Sequence, residues 1–235
     1  MSPVVAETVA VSVAAGESPP AVIIRRQRPY ALLGPRDRRL PLLEAGLSVL
    51  TSRGLPVFER TGGGSAVVLD EGCVSFGVVR PCRDPAVVRR NYEELTQGVR
   101  LALDRLGIDA RFGAAPGSFC EGPYDLVVDG RKVAGVAQTL RGGYALVSGM
   151  VLVNQDVAAV TELLNRFYAA AGGRADLSPT SVVSLASLLK RPVSADEVED
   201  ALRDGFAAVH GLRESPLTDR ERRRAGVLLS TRRVA

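Results

Sequence analysis

The residues with the most evident capacity for chemistry are a cysteine and a lysine near the middle of the chain. Cys120 lies in a loop rich in glycine and proline, and Lys132 lies on the apolar segment that follows. A loop of this kind can fold back over the next segment and bring the thiol toward the ammonium group. Because a neighbouring cation lowers the pKa of a thiol, the pair indicates a nucleophilic Cys120 thiolate. An unreactive loop cysteine is the alternative.

A β-hairpin is predicted to position Lys132. Asp-Gly at 129–130 separates YDLVV from RKVAGVAQ, and this dipeptide between two apolar runs favours a two-residue turn. An unbroken ladder then pairs Leu126 with Val133 and Asp125 with Ala134. Since side chains alternate along a strand, Lys132 and Asp125 become diagonal neighbours on one face. That face is expected to carry Asp125, Val127, Lys132 and Ala134.

Small residues continue the strand beyond Lys132. Gly135 and Ala137 leave room for a ligand to lie against the backbone. An ammonium group beside such small residues can donate a hydrogen bond to a substrate carbonyl. A surface lysine in an ordinary hairpin is the alternative.

A glycine-rich turn is the third feature with chemical potential. Arg60 precedes Thr61-Gly62-Gly63-Gly64-Ser65, and glycine allows a backbone to approach a ligand closely. Three glycines with an arginine can hold a phosphate, although the turn is neither a Walker loop nor a GxGxxG motif. A simple turn between strands is the alternative.

Several kinds of site are excluded by residue counts. His210 is the only histidine, and it lies beside Gly211 at the expected end of a helix, where a histidine is typically a cap that interacts with the helix dipole. A Ser-His-Asp triad or a histidine-based metal site is therefore not expected. Cys73, Cys82 and Cys120 show no CxxC spacing, which argues against zinc or thioredoxin-like chemistry. We therefore expect no metal and no cofactor.

The amino-acid composition indicates one soluble domain. The chain has 235 residues, 46% of them hydrophobic, and a net charge of +4, which excludes disorder and a disulfide scaffold. No apolar run is long enough to cross a bilayer, and no cleavage site follows the N-terminus, so a cytoplasmic protein is expected. Arginines cluster near the C-terminus without interleaved aromatic residues, and nucleic-acid binding is not expected.

The pattern of elements predicts an α+β fold with a mixed, largely antiparallel sheet and packed helices. Strands are predicted at 22–33, 56–60, 73–79, 124–128, 131–138 and 144–153. Helices are predicted at 40–52, from Asp84 to Leu106, at 156–171, at 179–189, and after the capping box Ser194-x-x-Glu197. We place a catalytic domain at 1–212 and a mobile, arginine-rich tail at 213–235.

Taken together, two stretches resemble the biotin/lipoate protein ligase and octanoyltransferase superfamily. They are RTGGGSAVVLDEG at 60–72 and GSFCEGPYDLVVDGRKVAGVAQ at 117–138. Residues 118–126 also fit the S-[FY]-C-x-G-x-[FY]-D-L pattern of the cysteine-dependent octanoyl-[glycine-cleavage H protein]:protein N-octanoyltransferases, or lipoyl amidotransferases. The resemblance implies a biotinyl/lipoyl-transferase-like fold with catalytic Cys120 and Lys132. It also implies an acyl site formed by Arg60, Gly62, Gly63, Gly64, Ser65, Asp125, Gly135 and Ala137.

The activity that this resemblance implies is acyl transfer in protein lipoylation. Cys120 takes an octanoyl or lipoyl group as a thioester and passes it to a lysine of a lipoyl domain of a 2-oxoacid dehydrogenase. The glycine-cleavage H protein or an acyl carrier protein is the expected donor. An ATP-dependent lipoate ligase is the alternative enzyme, although such ligases commonly carry a histidine where this chain has Val67, Val68 and Leu69. A non-catalytic module that binds through its basic tail is a third hypothesis.

Overall fold

Two β-sheets face each other in the computed structural model, which describes residues 3–174 and 176–235. Within these residues, the larger sheet has six strands in the order β1-β5-β9-β8-β7-β6, and every neighbouring pair is antiparallel. Its strands are β1 Ala21–Arg26, β5 Cys73–Pro81, β6 Arg111–Gly113, β7 Asp125–Val128, β8 Arg131–Arg141 and β9 Tyr144–Leu152.

The smaller sheet has three strands in the order β3-β2-β4 in the described part of the chain. Strand β2 pairs in parallel with β3 and antiparallel with β4. The bounds are β2 Tyr30–Leu33, β3 Val57–Glu59 and β4 Val67–Leu69. Its buried residues pack against Met150 and Leu152 of the larger sheet, so an apolar layer joins the two sheets.

Helices cover the outer faces of both sheets. Helices α4 and α7 pack on the larger sheet through residues such as Val99 and Phe206, while α2 and α5 pack on the smaller one through Leu47 and Phe167. The predicted α+β architecture with a largely antiparallel sheet is confirmed. The helices are α1 Val5–Ala14, α2 Leu43–Thr51, α3 Val88–Leu95, α4 Gln97–Arg105, α5 Val157–Ala170, α6 Leu185–Leu189, α7 Ala195–Val209 and α8 Asp219–Arg232.

The predicted hairpin between β7 and β8 is present. Asp129 and Gly130 have φ angles of 49° and 74°, and positive φ at both central residues is the requirement of a type I′ turn. Asn, Asp and Gly are the residues that adopt this conformation at least cost. The Asp-Gly signal therefore placed the turn correctly.

The single strand predicted at 22–33 is wrong. The segment forms β1 in the larger sheet and β2 in the smaller sheet, separated at residues 27–29. Buried Gln27 closes this corner: its amide donates to the Arg25 carbonyl at 3.1 Å, and its side-chain oxygen accepts from the Tyr30 hydroxyl at 2.9 Å. Pro29 follows and has no N–H with which to continue a ladder.

The long helix predicted from Asp84 is also divided. A 3-10 turn spans Pro85–Val87, and the helix breaks at Thr96 between α3 and α4. The Thr96 hydroxyl donates to the Tyr92 carbonyl at 2.7 Å, and this kind of back-bonding bends helices. No helix among the described residues has the length and apolar character to span a membrane.

The capping box predicted before α7 forms only in part. Ser194 accepts a hydrogen bond from the Glu197 amide at 3.1 Å, as predicted. The Glu197 carboxylate does not return to Ser194 but pairs with Arg191 at 2.5 Å. The arginine competes for the carboxylate because it offers a charged, bidentate donor.

The mobile tail predicted at 213–235 is instead ordered by contacts with the start of the chain. Its helix α8 packs against α1, which the sequence interpretation did not predict. Arg232 pairs with Glu7 at 2.9 Å and Arg220 with Glu17 at 2.7 Å. The last residue, Ala235, accepts from the Val57 amide of β3 at 2.8 Å. These partners are more than 170 residues apart in sequence, so no local pattern could reveal them.

Candidate active site

The Cys120 backbone adopts an unusual conformation that brings two carbonyl groups to one cation. Cys120 lies between β6 and β7 with φ 50°, a left-handed conformation that costs a non-glycine residue on the order of 1 kcal/mol or more. In this conformation the Phe119 and Cys120 carbonyls accept hydrogen bonds from Lys132 Nζ at 3.0 and 2.9 Å. Lys132 therefore ties the cysteine loop to β8.

Lys132 and Asp125 form a buried ion pair. Nζ lies 2.9 Å from Asp125 Oδ2, and each side chain is 1% exposed, which excludes the surface-lysine alternative. The carboxylate also accepts from the Val136 amide at 3.0 Å and the Gly122 amide at 2.9 Å. Burial raises the pKa of Asp125, and the Lys132 charge opposes this effect. The predicted proximity of the two residues is confirmed.

The predicted register around this pair is wrong by one residue. Val127 pairs with Lys132 as predicted, but Leu126 pairs with Ala134 instead of Val133, because a β-bulge interrupts the ladder. A bulge places two residues of one strand opposite one residue of the other. Val133 and Ala134 consequently both belong to the apolar core under the helices. Ala134 does not share a face with Lys132 and Asp125, whereas Gly135 does.

The Cys120 thiol is surrounded by donors from the glycine turn. Arg60 Nη2 lies 3.0 Å from Sγ, and the Ser65 amide lies 3.3 Å from it. Burial by itself raises the pKa of this thiol, but the charges of Arg60 and Lys132 and the Ser65 amide outweigh burial, so its pKa lies below the usual value. This arrangement favours a thiolate, which is the nucleophilic form.

The three glycines of the turn differ in the space around them. A Cβ on Gly64, whose φ is 104°, would lie 2.5 Å from Cys120 Sγ, so this position has no room for a side chain. A Cβ on Gly62 would lie 2.9 Å from Thr139 Oγ1 of β8. Gly63 is exposed at the tip of the turn and stays a predicted substrate-binding residue only. The turn thus approaches both the thiol and the larger sheet.

A cavity of about 150 Å³ extends from Cys120 and Lys132 between the two sheets. Since neighbouring strands are about 4.8 Å apart, its path across β8, β9, β5 and β1 covers roughly 14 Å. Gly135 and Ala137 line it, as predicted, and α1 closes it through Ala6 and Glu7. The remaining wall consists mainly of apolar residues of the two sheets, among them Leu32, Val67, Leu69, Leu146 and Met150.

The other two cysteines are placed apart from this arrangement. Cys73 is buried in β5, and burial raises the pKa of its thiol. Cys82 lies just beyond the end of β5, where its thiol contacts the Asp84 carbonyl at 3.6 Å. Among the described residues, no three histidine, cysteine or acidic side chains come together as a metal site requires.

Sequence reasoning missed two buried polar residues next to the glycine turn, Asp37 and Tyr168. The Ala66 amide donates to the Tyr168 hydroxyl at 3.0 Å, and that hydroxyl donates to Asp37 at 3.0 Å. Tyr168 lies on the helix predicted at 156–171, where an aromatic residue is typical of a core position. Asp37 lies among exposed arginines. Neither pattern carries a signal for a role at the site.

Replacing Arg60 is expected to make Cys120 less reactive at neutral pH. Arg60→Gln removes the cation beside Sγ, and loss of such a charge raises a thiol pKa by about one unit or more. The midpoint of the pH–rate profile for alkylation by iodoacetamide should therefore rise by about one unit. Arg53→Gln, a change at an exposed arginine after α2, should leave the midpoint unchanged. Equal midpoints for Arg60→Gln and wild type would contradict the role of Arg60.

Comparisons with known proteins identify the family of this chain. The family model for the lipoyl protein ligase A/B catalytic domain matches residues 4–207. The octanoyl-[GcvH]:protein N-octanoyltransferase of Bacillus velezensis is 34% identical over 207 residues, which cover 83% of this chain and 72% of the relative.

Solved structures show the same fold. Lipoate-protein ligase A bound with ATP superposes with a TM-score of 0.75 and 24% identity over 96% of this chain and 87% of that one. The Thermoplasma acidophilum bi-partite lipoate protein ligase, solved in a study with its E2 lipoyl domain, gives a TM-score of 0.71 at 24% identity, covering 96% of this chain and 85% of that one. With the family model matching most of its length, the chain belongs to the lipoyl protein ligase A/B catalytic domain family.

Proposed function

We propose that this protein is an octanoyl-[GcvH]:protein N-octanoyltransferase that forms a thioester on Cys120. The observation that carries the proposal is the Cys120 thiol at the mouth of an apolar cavity, where Arg60 and the Ser65 amide donate to Sγ and the Lys132 ammonium binds the Cys120 carbonyl. The similarity to the Bacillus velezensis enzyme supports octanoyl-GcvH as the donor.

In the first step, the Cys120 thiolate attacks the carbonyl carbon of the octanoyl amide on the donor. A C–S bond forms, the C–N bond breaks, and the departing lysine nitrogen takes up a proton as it leaves. Lys132 already donates to carbonyl oxygens beside the thiol. It can therefore stabilise the negative charge that develops on the substrate oxygen by exchanging one of these acceptors for it.

In the second step, a lysine amine of a lipoyl domain attacks the thioester. A C–N bond forms, the C–S bond breaks, the Cys120 thiolate is restored and the amine releases one proton. One amide bond replaces another over the whole cycle, so the balance of bonds requires no ATP. The Thermoplasma ligase, whose title names an E2 lipoyl domain, supports a lipoyl domain as the acceptor.

The test measures transfer of octanoate to an apo lipoyl domain by mass spectrometry in three arms. The donors are octanoylated GcvH without ATP, octanoyl-acyl carrier protein without ATP, and free octanoate with ATP. Transfer from octanoylated GcvH is the expected result. Transfer only from octanoyl-acyl carrier protein would change the donor, and transfer only from free octanoate with ATP would make the protein a ligase. Absence of transfer in all three arms would contradict acyl transfer altogether.

Enlarging Ala137 is expected to shorten the acyl chain that the protein accepts. Ala137→Leu places roughly three methylene equivalents in the cavity, and each buried methylene is worth about 0.8 kcal/mol. Octanoyl loading should therefore fall by about 50-fold relative to shorter chains, measured as the mass distribution on Cys120. Gly135→Leu, which the sequence suggests for the same purpose, is less selective because a Cβ there would lie 3.0 Å from Lys132 Cε.

Ala169→Leu is the matched control, because Ala169 is exposed on α5. This variant should load octanoyl as the wild type does. Normal octanoyl loading of Ala137→Leu, with an unchanged thermal melt, would show that the acyl chain lies elsewhere.

A further inference from the structure

The outer side of the glycine turn is held by a chain of buried hydrogen bonds. The Ala66 amide donates to the Tyr168 hydroxyl at 3.0 Å, and the hydroxyl donates to Asp37 Oδ1 at 3.0 Å. Asp37 Oδ2 accepts from the Gly34 amide at 2.7 Å. The chain therefore connects the turn to helix α5 and to the end of β2.

The two backbone segments joined by this chain are also in direct contact. A Cβ on Gly34 would lie 1.9 Å from the Gly64 carbonyl oxygen, so the backbones meet where only glycine fits. Asp37 is 2% exposed and Tyr168 is 9% exposed. Loss of one partner in a buried network leaves the others without hydrogen bonds, which costs more than the bond itself contributes.

The inner side of the same turn faces the reacting thiol. The Ser65 amide donates to Cys120 Sγ at 3.3 Å, and the next amide, that of Ala66, donates to Tyr168. The two peptide planes share the Ser65 Cα. Only the φ and ψ angles of Ser65 separate the two planes, so an Ala66 amide held in place leaves the Ser65 amide fewer orientations.

We propose that Tyr168 and Asp37 are positioning residues that hold the glycine turn with its Ser65 amide directed at Cys120 Sγ. Neither side chain contacts the thiol, and both act through the backbone of the turn. The inference rests on the proposed function of Cys120 as the reacting group and extends it to the residues that keep the thiol in its reactive form.

The groups that act directly on the thiol are kept when the tyrosine is substituted. Arg60 and Lys132 stabilise the thiolate, and burial opposes it. The titratable groups around Cys120 are Arg60, Lys132, Asp125, Tyr92 and Asp37. Tyr168→Phe removes one neutral hydroxyl and leaves Arg60, Lys132, Asp125 and Tyr92 in place, while Asp37 loses the hydrogen bond that lowers its pKa. A change in thiol titration therefore reports on the hydrogen-bond chain that holds the turn.

The test is alkylation of Cys120 by iodoacetamide across pH in Tyr168→Phe, with Cys82→Ser as the common background. Peptide mass spectrometry follows Cys120 alone, and no acyl donor is present. Loss of the hydrogen bond from the Ser65 amide should raise the midpoint of the pH–rate profile by about one unit. The rate at high pH, where the thiol is fully ionised, should be equal to or above that of the parent.

Tyr144→Phe is the matched control: Tyr144 is 2% exposed, packs in the core formed with α1, and does not line the cavity. Its midpoint should equal that of the parent. The proposal is overturned by an unchanged midpoint in a folded Tyr168→Phe protein, by a lower rate at high pH, or by an equal shift in Tyr144→Phe. The alkylation test uses iodoacetamide and no acyl donor. Its result therefore holds even if the protein does not transfer octanoate.

Discussion

Wild-type protein incubated with octanoylated GcvH and no ATP is expected to gain one octanoyl group, and Cys120→Ser is expected to gain none. Arg60, the Ser65 amide and Lys132 together favour the Cys120 thiolate, whereas a serine hydroxyl at the same place stays protonated. Loss of a nucleophile reduces an enzyme rate by as much as about 10⁶-fold. Intact-mass spectrometry measures the adduct, and hydroxylamine should remove it because the bond is a thioester.

The other two cysteines supply the controls. Cys82→Ser should load fully, since Cys82 lies beyond the end of β5 and outside the cavity. Cys73→Ser should also retain activity, with a lower melting temperature because it buries a hydroxyl in an apolar core. An adduct that persists in Cys120→Ser, or wild-type protein that acquires none from any carrier, would refute the thioester mechanism.

Lys132→Arg is expected to lower the octanoyl-transfer rate by roughly 10²–10³-fold, the effect of removing one oxyanion donor. The substitution keeps the charge, but the guanidinium group is planar and larger than an ammonium group. Lys132 is 1% exposed and its Nζ contacts Asp125 and two carbonyl groups within 3.0 Å. An arginine cannot reproduce that compact arrangement. Single-turnover transfer from the octanoylated enzyme to a lipoyl domain measures the loss.

Lys190→Arg is the control, because Lys190 is the other lysine of the chain and is exposed after α6. It should transfer octanoate at the wild-type rate. A Lys132→Arg enzyme with near wild-type turnover would reduce Lys132 to a structural partner of Asp125. The buried ion pair would then explain its position without any contact with substrate.

Local signals in the sequence correctly predicted the proximity of Lys132 and Asp125, because the chain itself determines that geometry. Asp129 and Gly130 specify a tight turn because they tolerate positive φ. That turn brings Lys132 to Asp125, and the pairing follows from the period of a strand. The resemblance around Cys120 supplied the rest of the predicted site, and the structure brings Arg60 and Ser65 to the same thiol.

Positions that depend on packing or on one particular side chain, and not on a repeating pattern, were predicted poorly. The bulge at Val133 was not predicted, because nothing in the apolar run at 131–138 marks an extra residue. The corner at Gln27 depends on a side chain that bonds within its own turn, which divides one apolar segment between two sheets. The tail pairs with Glu7 on α1 and with Glu17 just after it, which lie at the opposite end of the chain.

By itself, the sequence determined the α+β class and the hairpin under Lys132, because turn chemistry and periodicity are local properties, and its resemblance to a known family singled out Cys120. The tertiary structure alone decided that Lys132 is buried, that the bulge turns Ala134 away from it, and that Tyr168 and Asp37 support the glycine turn. Those outcomes depend on which surfaces of the folded chain pack against each other and exclude water. Burial and hydrogen-bond partners between residues more than 100 positions apart, such as Ala66 and Tyr168, arise only when the chain has folded.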